Sequence, residues 1–154
     1  MATAQDSIEL LIDLAARQTD VRARELAQAL KRETSEDARL VMLADYRRGL
    51  LATLAESQRR GTSSGALQNY TTFLDRLDAA IAQQQAAVDR AKGHSEAARS
   101  GLNAAERKRK SLETLLDRRI EGERRKENRR EQKQHDEIST RISVHGRGGI
   151  PAGD

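Results

Sequence analysis

The near absence of residues that end a helix constrains this chain more than any other feature. Its only proline, Pro151, lies in the glycine-rich terminal segment HGRGGIPAGD. One other segment, RRGTSSGA from Arg59 to Ala66, combines two glycines with three hydroxyl residues, which is typical of a turn. The pattern therefore predicts a single domain of two long helices over about 6–58 and 66–143, with a turn at 59–65 and a flexible tail at 144–154.

A heptad repeat in the second helix distinguishes the chain from a disordered one. Its composition, with 34% charged and 2% aromatic residues, is shared by disordered chains and by long helices. Apolar or small residues, however, dominate two series of positions seven residues apart, and such a seam is typical of a coiled coil. The two series are Leu67, Leu74, Ile81, Val88, Ser95, Leu102, Arg109, Leu116, and Tyr70, Leu77, Gln84, Ala91, Ala98, Ala105, Leu112, Arg119.

The first helix has a less regular apolar face. Two polar stretches, 19–22 and 33–36, interrupt it, and we interpret them as stutters at which the heptad register drifts. Asp6-Ser7-Ile8-Glu9 resembles a capping box, so the helix is expected to begin near Asp6. The residues of the apolar face are Ile8, Leu11, Ala15, Leu26, Ala29, Leu40, Leu43, Leu50 and Leu54.

Two long helices joined by a short turn should form an antiparallel coiled-coil hairpin, an all-α fold. Pairing outward from the turn places Tyr46 opposite about Ala80, and Ile8 opposite about Arg118. The second helix is longer, so its end should overhang by roughly 25 residues, or almost 40 Å at about 1.5 Å per residue. Three intrahelical ion pairs should support this overhang: Glu121–Arg125, Glu123–Lys126 and Glu127–Arg130.

The sequence offers little for catalysis or for cofactor and metal binding. It contains no cysteine, its three histidines are isolated, and it has no phosphate-binding loop or Cys/His metal spacing. We therefore expect a protein that is not an enzyme and that needs no cofactor or metal. It also has no secretory signal pattern and no run of about 18 apolar residues, which predicts a cytoplasmic location without membrane insertion.

Two surfaces remain as candidates for binding. From Arg107 to Lys133 there are 12 basic and 6 acidic residues, so a basic scaffold that binds nucleic acid is one alternative. Acidic residues interrupt this segment, however, and it has no aromatic residue for base stacking, so nucleic acid is not the expected partner. Tyr46 and Phe73 lie near the turn, and Phe73 falls outside the heptad series, which favours an exposed contact surface for a protein.

Three ordered strings resemble the flagellar FliJ family. They are MLADYRRGLLATL from Met42, NYTTFLDRLDAAI from Asn69 and ENRREQKQHDE from Glu127, and the likeness extends from Leu11 to Arg141. The resemblance implies a non-enzymatic component of the flagellar type III export apparatus, folded as an antiparallel two-helix coiled coil similar to the stalk of rotary ATPases. The equivalent stalk of an injectisome is a further alternative.

The resemblance also implies partners and contact residues. The partners are the hexameric export ATPase FliI, the cytoplasmic domain of the export gate protein FlhA and, in some members, export chaperones, at the inner face of the membrane at the flagellar base. The gate contact transfers to Arg39, Leu43, Tyr46, Leu50, Phe73, Leu77, Ala80 and Gln84, of which Arg39, Leu50 and Gln84 depart from the expected residue types. The ATPase contact is expected on the overhang, at Arg118, Arg119, Arg124, Arg125, Arg129, Arg130 and Lys133.

Overall fold

The computed structural model describes residues 3–146, so the greater part of the expected tail lies outside the described residues. Helix α1 spans Ala4–Arg60 and helix α2 spans Ser64–Gly146, with 57 and 83 residues. The described residues contain no strand, and the two helices pack against each other. The expectation of an all-α fold with a longer second helix is confirmed. Neither described helix contains a stretch apolar enough to cross a lipid bilayer.

Helix α1 begins with a capping box that lies three residues earlier than the sequence pattern indicates. The Thr3 hydroxyl accepts a hydrogen bond from the Asp6 amide at 3.1 Å, and the Thr3 amide donates to the Asp6 carboxylate at 2.7 Å. Asp6 is thus the N3 residue of the box, three positions after the cap residue Thr3, and not the cap itself. The hydrogen bond from the Thr3 amide, with a second from the Thr3 side chain, lowers the pKa of the Asp6 carboxyl below its usual value.

The turn between the helices uses a glycine to end α1 and a serine to start α2. Gly61 has a φ of 87°, in the left-handed region that glycine adopts without steric cost, and its amide donates to the Gln58 carbonyl at 3.4 Å. The Ser63 hydroxyl accepts a hydrogen bond from the Ala66 amide at 3.2 Å, so it caps α2. These two residues explain why two such long helices can be separated by only three residues, 61–63.

The packing divides the molecule into two compact units, Ala15–Arg107 and Met1–Leu14 with Lys108–Asp154. In the first unit the helices are antiparallel, because residues farther from the turn on α1 contact residues that are also farther from the turn on α2. Arg47 forms a salt bridge of 2.6 Å with Asp78, and Arg22 lies 3.7 Å from the position that a Cβ on Gly101 would occupy. The antiparallel coiled coil is therefore confirmed in this unit.

The heptad seam of α1 runs through both polar stretches, so the interpretation of these stretches as stutters is wrong. Thr19 is buried, and Arg22, Glu33 and Glu36 are half-buried at the positions that an unbroken repeat requires. Leu11, in contrast, is 49% exposed, and Ile12 occupies the seam in its place. Along α1 the least exposed residues recur at alternating intervals of four and three: 8, 12, 15, 19, 22, 26, 29, 33, 36, 40, 43, 47, 50, 54 and 57.

Partners on α2 and on α1 itself accommodate the polar residues of the α1 seam. The Glu33 carboxylate accepts a hydrogen bond from the Ser95 hydroxyl at 2.6 Å. The Gln84 amide donates to the Glu36 carboxylate at 2.6 Å and to the Glu36 carbonyl at 3.0 Å. The buried Thr19 hydroxyl donates to the carbonyl four residues earlier in its own helix, at 2.9 Å. Buried polar groups with such partners avoid most of the cost of leaving water.

In the second unit, Ile8 is buried, and Leu112 and Leu116 of α2 are half-buried. Half-buried residues continue as far as Gly122, four residues beyond the expected end of pairing at Arg118. Every residue from 123 to 146 is exposed. These residues, which we call the overhang, form about 36 Å of helix at about 1.5 Å per residue. The expected overhang of the second helix is thus present.

Candidate functional site

The eight residues transferred for the gate contact lie on one side of the coiled coil, and we call them the turn-proximal patch. Four are seam residues: Leu43, Leu50, Leu77 and Gln84. The other four directly precede a seam residue, at the flanking heptad position g: Arg39, Tyr46, Phe73 and Ala80. The g positions of the two helices meet, because the rings of Tyr46 and Phe73 are in edge-to-face contact with centroids 6.0 Å apart at 72°.

Exposure separates the members of this patch into two groups. Tyr46 is 56% exposed and Phe73 is 42% exposed, so both rings leave apolar surface accessible to solvent. Leu77 is only 7% exposed, and Gln84 is engaged with Glu36 across the seam. Arg39 is exposed and lies 3.5 Å from the Glu36 carboxylate. The rings are therefore placed to make contact, whereas Leu77 and Gln84 are placed to hold the two helices together.

A shallow groove beside the rings includes residues that the family resemblance did not transfer to the patch. Tyr46, Leu50 and Phe73 line it together with Ala66, Asn69 and Tyr70, and its volume is about 370 Å³. The additional residues lie at heptad positions on the same side of α2 as Phe73. The heptad positions of these residues therefore suffice to predict that they share a side with Phe73.

The transferred ATPase-contact residues lie at the end of α2, and all seven are exposed. Glu121 forms salt bridges with Arg124 at 3.2 Å and with Arg125 at 3.4 Å. Glu123 lies 3.9 Å from Lys126. Two of the three expected ion pairs, Glu121–Arg125 and Glu123–Lys126, are thus present.

The expected third pair, Glu127–Arg130, does not form within residues 3–146. The other basic residues assigned to the ATPase contact likewise have no salt bridge to a described carboxylate: Arg118, Arg119, Arg129, Arg130 and Lys133. These five cationic groups are free to pair with carboxylates of another protein. Arg118 and Arg119 precede the overhang, whereas Arg129, Arg130 and Lys133 lie on it. The overhang is therefore a one-helix-thick, polar surface with these three available positive charges.

The described residues provide no arrangement suited to metal binding. Within them, no group of three or more histidine, cysteine or acidic side chains could hold a metal ion. The site that the geometry offers is therefore a pair of surfaces, one apolar beside the turn and one charged along the overhang.

Comparison with known proteins assigns the chain to a family. The family model described as "Flagellar FliJ protein" matches residues 5–148, which is nearly the whole chain. The chain belongs to the flagellar FliJ protein family. A curated protein from Salmonella typhi, also named "Flagellar FliJ protein", is 27% identical over 138 residues, which cover 90% of this chain and 94% of that protein. The resemblance seen in the three strings is confirmed, and this FliJ-family chain is a component of the flagellar protein export apparatus.

Proposed function

We propose that this FliJ-family protein is a non-enzymatic, stalk-like component that binds the hexameric export ATPase FliI and promotes its assembly. The observation that carries the proposal is the overhang, whose residues from 123 to 146 are all exposed. A single polar helix is thin enough to enter the centre of a protein ring. Exposed ion pairs contribute only about 0–1 kcal/mol each, so such contacts can break and re-form as the ring changes conformation.

The turn-proximal patch supports the second part of the proposal, a contact with the cytoplasmic domain of the gate protein FlhA. Its exposed aromatic pair, Tyr46 and Phe73, provides the kind of apolar anchor that dominates binding energy at protein interfaces. The protein would then connect the ATPase to the gate at the inner face of the membrane at the flagellar base. Binding of export chaperones is part of the same proposal.

A truncation and a charge reversal test the ATPase contact. A chain that ends at Gly122 should melt within about 2 °C of the full chain, because the removed residues bury almost no apolar surface. It should nevertheless lose most of its stimulation of ATPase assembly and turnover. Reversal of Arg124, Arg125, Arg129 and Arg130 to Glu should have the same effect at full length.

The matched control replaces the same four arginines with Lys, which keeps the charge and the helix length. This variant should retain most of the stimulation if the partner responds to charge. Full stimulation by the chain that ends at Gly122 would show that the overhang takes no part in ATPase binding.

Alanine variants of the aromatic pair test the gate contact. Tyr46→Ala and Phe73→Ala should each weaken binding to the FlhA cytoplasmic domain by about tenfold or more. The helical melting curve should change little, because neither ring is buried in the core. The control is Leu51→Ala, since Leu51 is 38% exposed but directly follows a seam residue and so flanks the seam on its other side. Equal gate binding by all three variants would contradict the proposal.

A further inference from the structure

A second groove lies farther from the turn, on the same side of the coiled coil as the turn-proximal patch. Its volume is about 440 Å³, and we call it the alanine groove because four of its residues are alanines: Ala29, Ala87, Ala91 and Ala98. Ala29, Ala91 and Ala98 occupy seam positions, where larger side chains would normally fill the space between the helices. The methyl groups form a small-residue floor that a third element can approach closely.

Charged side chains surround this floor. The acidic ones have partners within the chain, whereas two basic ones do not, so positive charge remains available at the groove. Both carboxylates that line the groove are engaged within the chain. Glu25 forms a salt bridge with Arg22 at 3.0 Å, and Glu36 accepts hydrogen bonds from Gln84. The two lining arginines, Arg32 and Arg90, are exposed and form no salt bridge within residues 3–146.

The two available arginines lie on opposite sides of the groove, Arg32 on α1 and Arg90 on α2. A helix laid between them would therefore meet one guanidinium group on each flank. Guanidinium groups bind carboxylates through two parallel hydrogen bonds, which are stronger than bonds between neutral groups. Small residues at a helix contact allow interaxial distances at the short end of the usual range of about 8–10 Å.

We propose that the alanine groove binds an amphipathic helix of a partner protein, one with a narrow apolar face and carboxylates on both flanks of that face. The alanine methyl groups take the apolar face, and Arg32 and Arg90 pair with the carboxylates. A nucleic acid would leave the alanine floor uncovered, because its phosphates require only the charges. This binding is independent of the overhang and of the contact at Tyr46 and Phe73.

Two synthetic helical peptides of about 20 residues serve as probes. They share a Leu/Ala face and differ only in carrying Glu or Lys on both flanks of that face. Fluorescence anisotropy with the full-length chain should show that the Glu peptide binds at least tenfold more tightly than the Lys peptide. The double variant Arg32→Glu, Arg90→Glu should reverse this preference.

The matched control is Arg24→Glu, Arg99→Glu, which makes the same charge change at two exposed arginines that do not line the groove. It should leave the preference for the Glu peptide in place. A second variant, Ala87→Trp, fills the floor without changing the charge and should weaken binding of the Glu peptide by at least tenfold. Circular dichroism of each variant verifies that the helices are intact.

Several outcomes would overturn the proposal. One is that the Glu peptide does not bind at millimolar concentration, and another is that the two double variants lose binding equally. A third is that a DNA oligonucleotide binds more tightly than the Glu peptide and depends on the same two arginines. A fourth is that the chain forms dimers by sedimentation velocity that the double variant Arg32→Glu, Arg90→Glu abolishes, since the groove would then join two copies.

Discussion

Glu36 and Gln84 form a polar pair at seam positions, and we expect that replacing both residues with leucine stabilises the hairpin. Both side chains are half-buried at seam positions, and the Gln84 amide donates to the Glu36 carboxylate at 2.6 Å. Polar pairs at such positions specify register, but apolar residues of similar volume are often neutral or stabilising in their place.

The expected change is the small difference between a gain in apolar burial and a loss of hydrogen bonds. Full burial of a leucine side chain contributes about 1.5–3 kcal/mol, so two half-buried leucines contribute roughly 1.5–3 kcal/mol together. The two hydrogen bonds that disappear, from the Gln84 amide to the Glu36 carboxylate and carbonyl, contribute about 1 kcal/mol each. The double variant should therefore be more stable by up to about 1 kcal/mol. Gln84→Ala alone should lose about 1–2 kcal/mol, because it leaves a half-buried carboxylate without its amide donor.

Urea unfolding followed by circular dichroism at about 222 nm measures both free energies of unfolding. The control is Gln85→Leu, since Gln85 is exposed beside Gln84 and donates only to Asp89 of its own helix at 3.2 Å, so the change should stay within about 0.5 kcal/mol. If the double leucine variant is no more stable than the natural chain, the polar pair stabilises the fold as well as aligning it, and the prediction is refuted.

Four further predictions concern single residues. Gly61→Ala should destabilise the hairpin by about 1–2 kcal/mol, because its φ of 87° is strained for any residue with a Cβ. Gly93→Ala, at a helical glycine with open space around it, should instead stabilise by up to about 1 kcal/mol, and urea unfolding compares the two. Asp6 has a lowered pKa, so its contribution to the start of α1 should persist above the ordinary carboxyl pKa and disappear as the pH falls through the folded value. Nuclear magnetic resonance titration of the Asp6 carboxyl measures its pKa. A pKa at the ordinary carboxyl value, or a pH dependence of stability that Asp6→Asn leaves unchanged, would contradict the prediction. Leu77→Ala should lower the free energy of unfolding by about 2–4 kcal/mol, because Leu77 is only 7% exposed, whereas Phe73→Ala at an exposed ring should lower it much less. Equal melting temperatures of the two variants would show that Leu77 contributes nothing to the core.

The sequence by itself determined the two helices, the turn and the seam of α2. A chain without proline up to Pro151 has nothing that must end a helix except the turn segment, where Gly61 and Ser63 supply the cap residues. The heptad series of α2 predicted its buried residues because apolar side chains there recur with the period of the coiled coil. The exposed overhang could likewise be predicted, since both the seam and the available length of α1 end before it.

Only the tertiary structure decided the register of α1 and the surfaces that follow from it. Glu33 and Glu36 look like interruptions in the sequence, because a polar residue at a seam position is favourable only when a partner satisfies it. Those partners, Ser95 and Gln84, lie 62 and 48 residues away, so no local pattern reveals them. The alanine groove depends on the same long-range pairing, because small residues from two distant segments form its floor only after the helices have aligned.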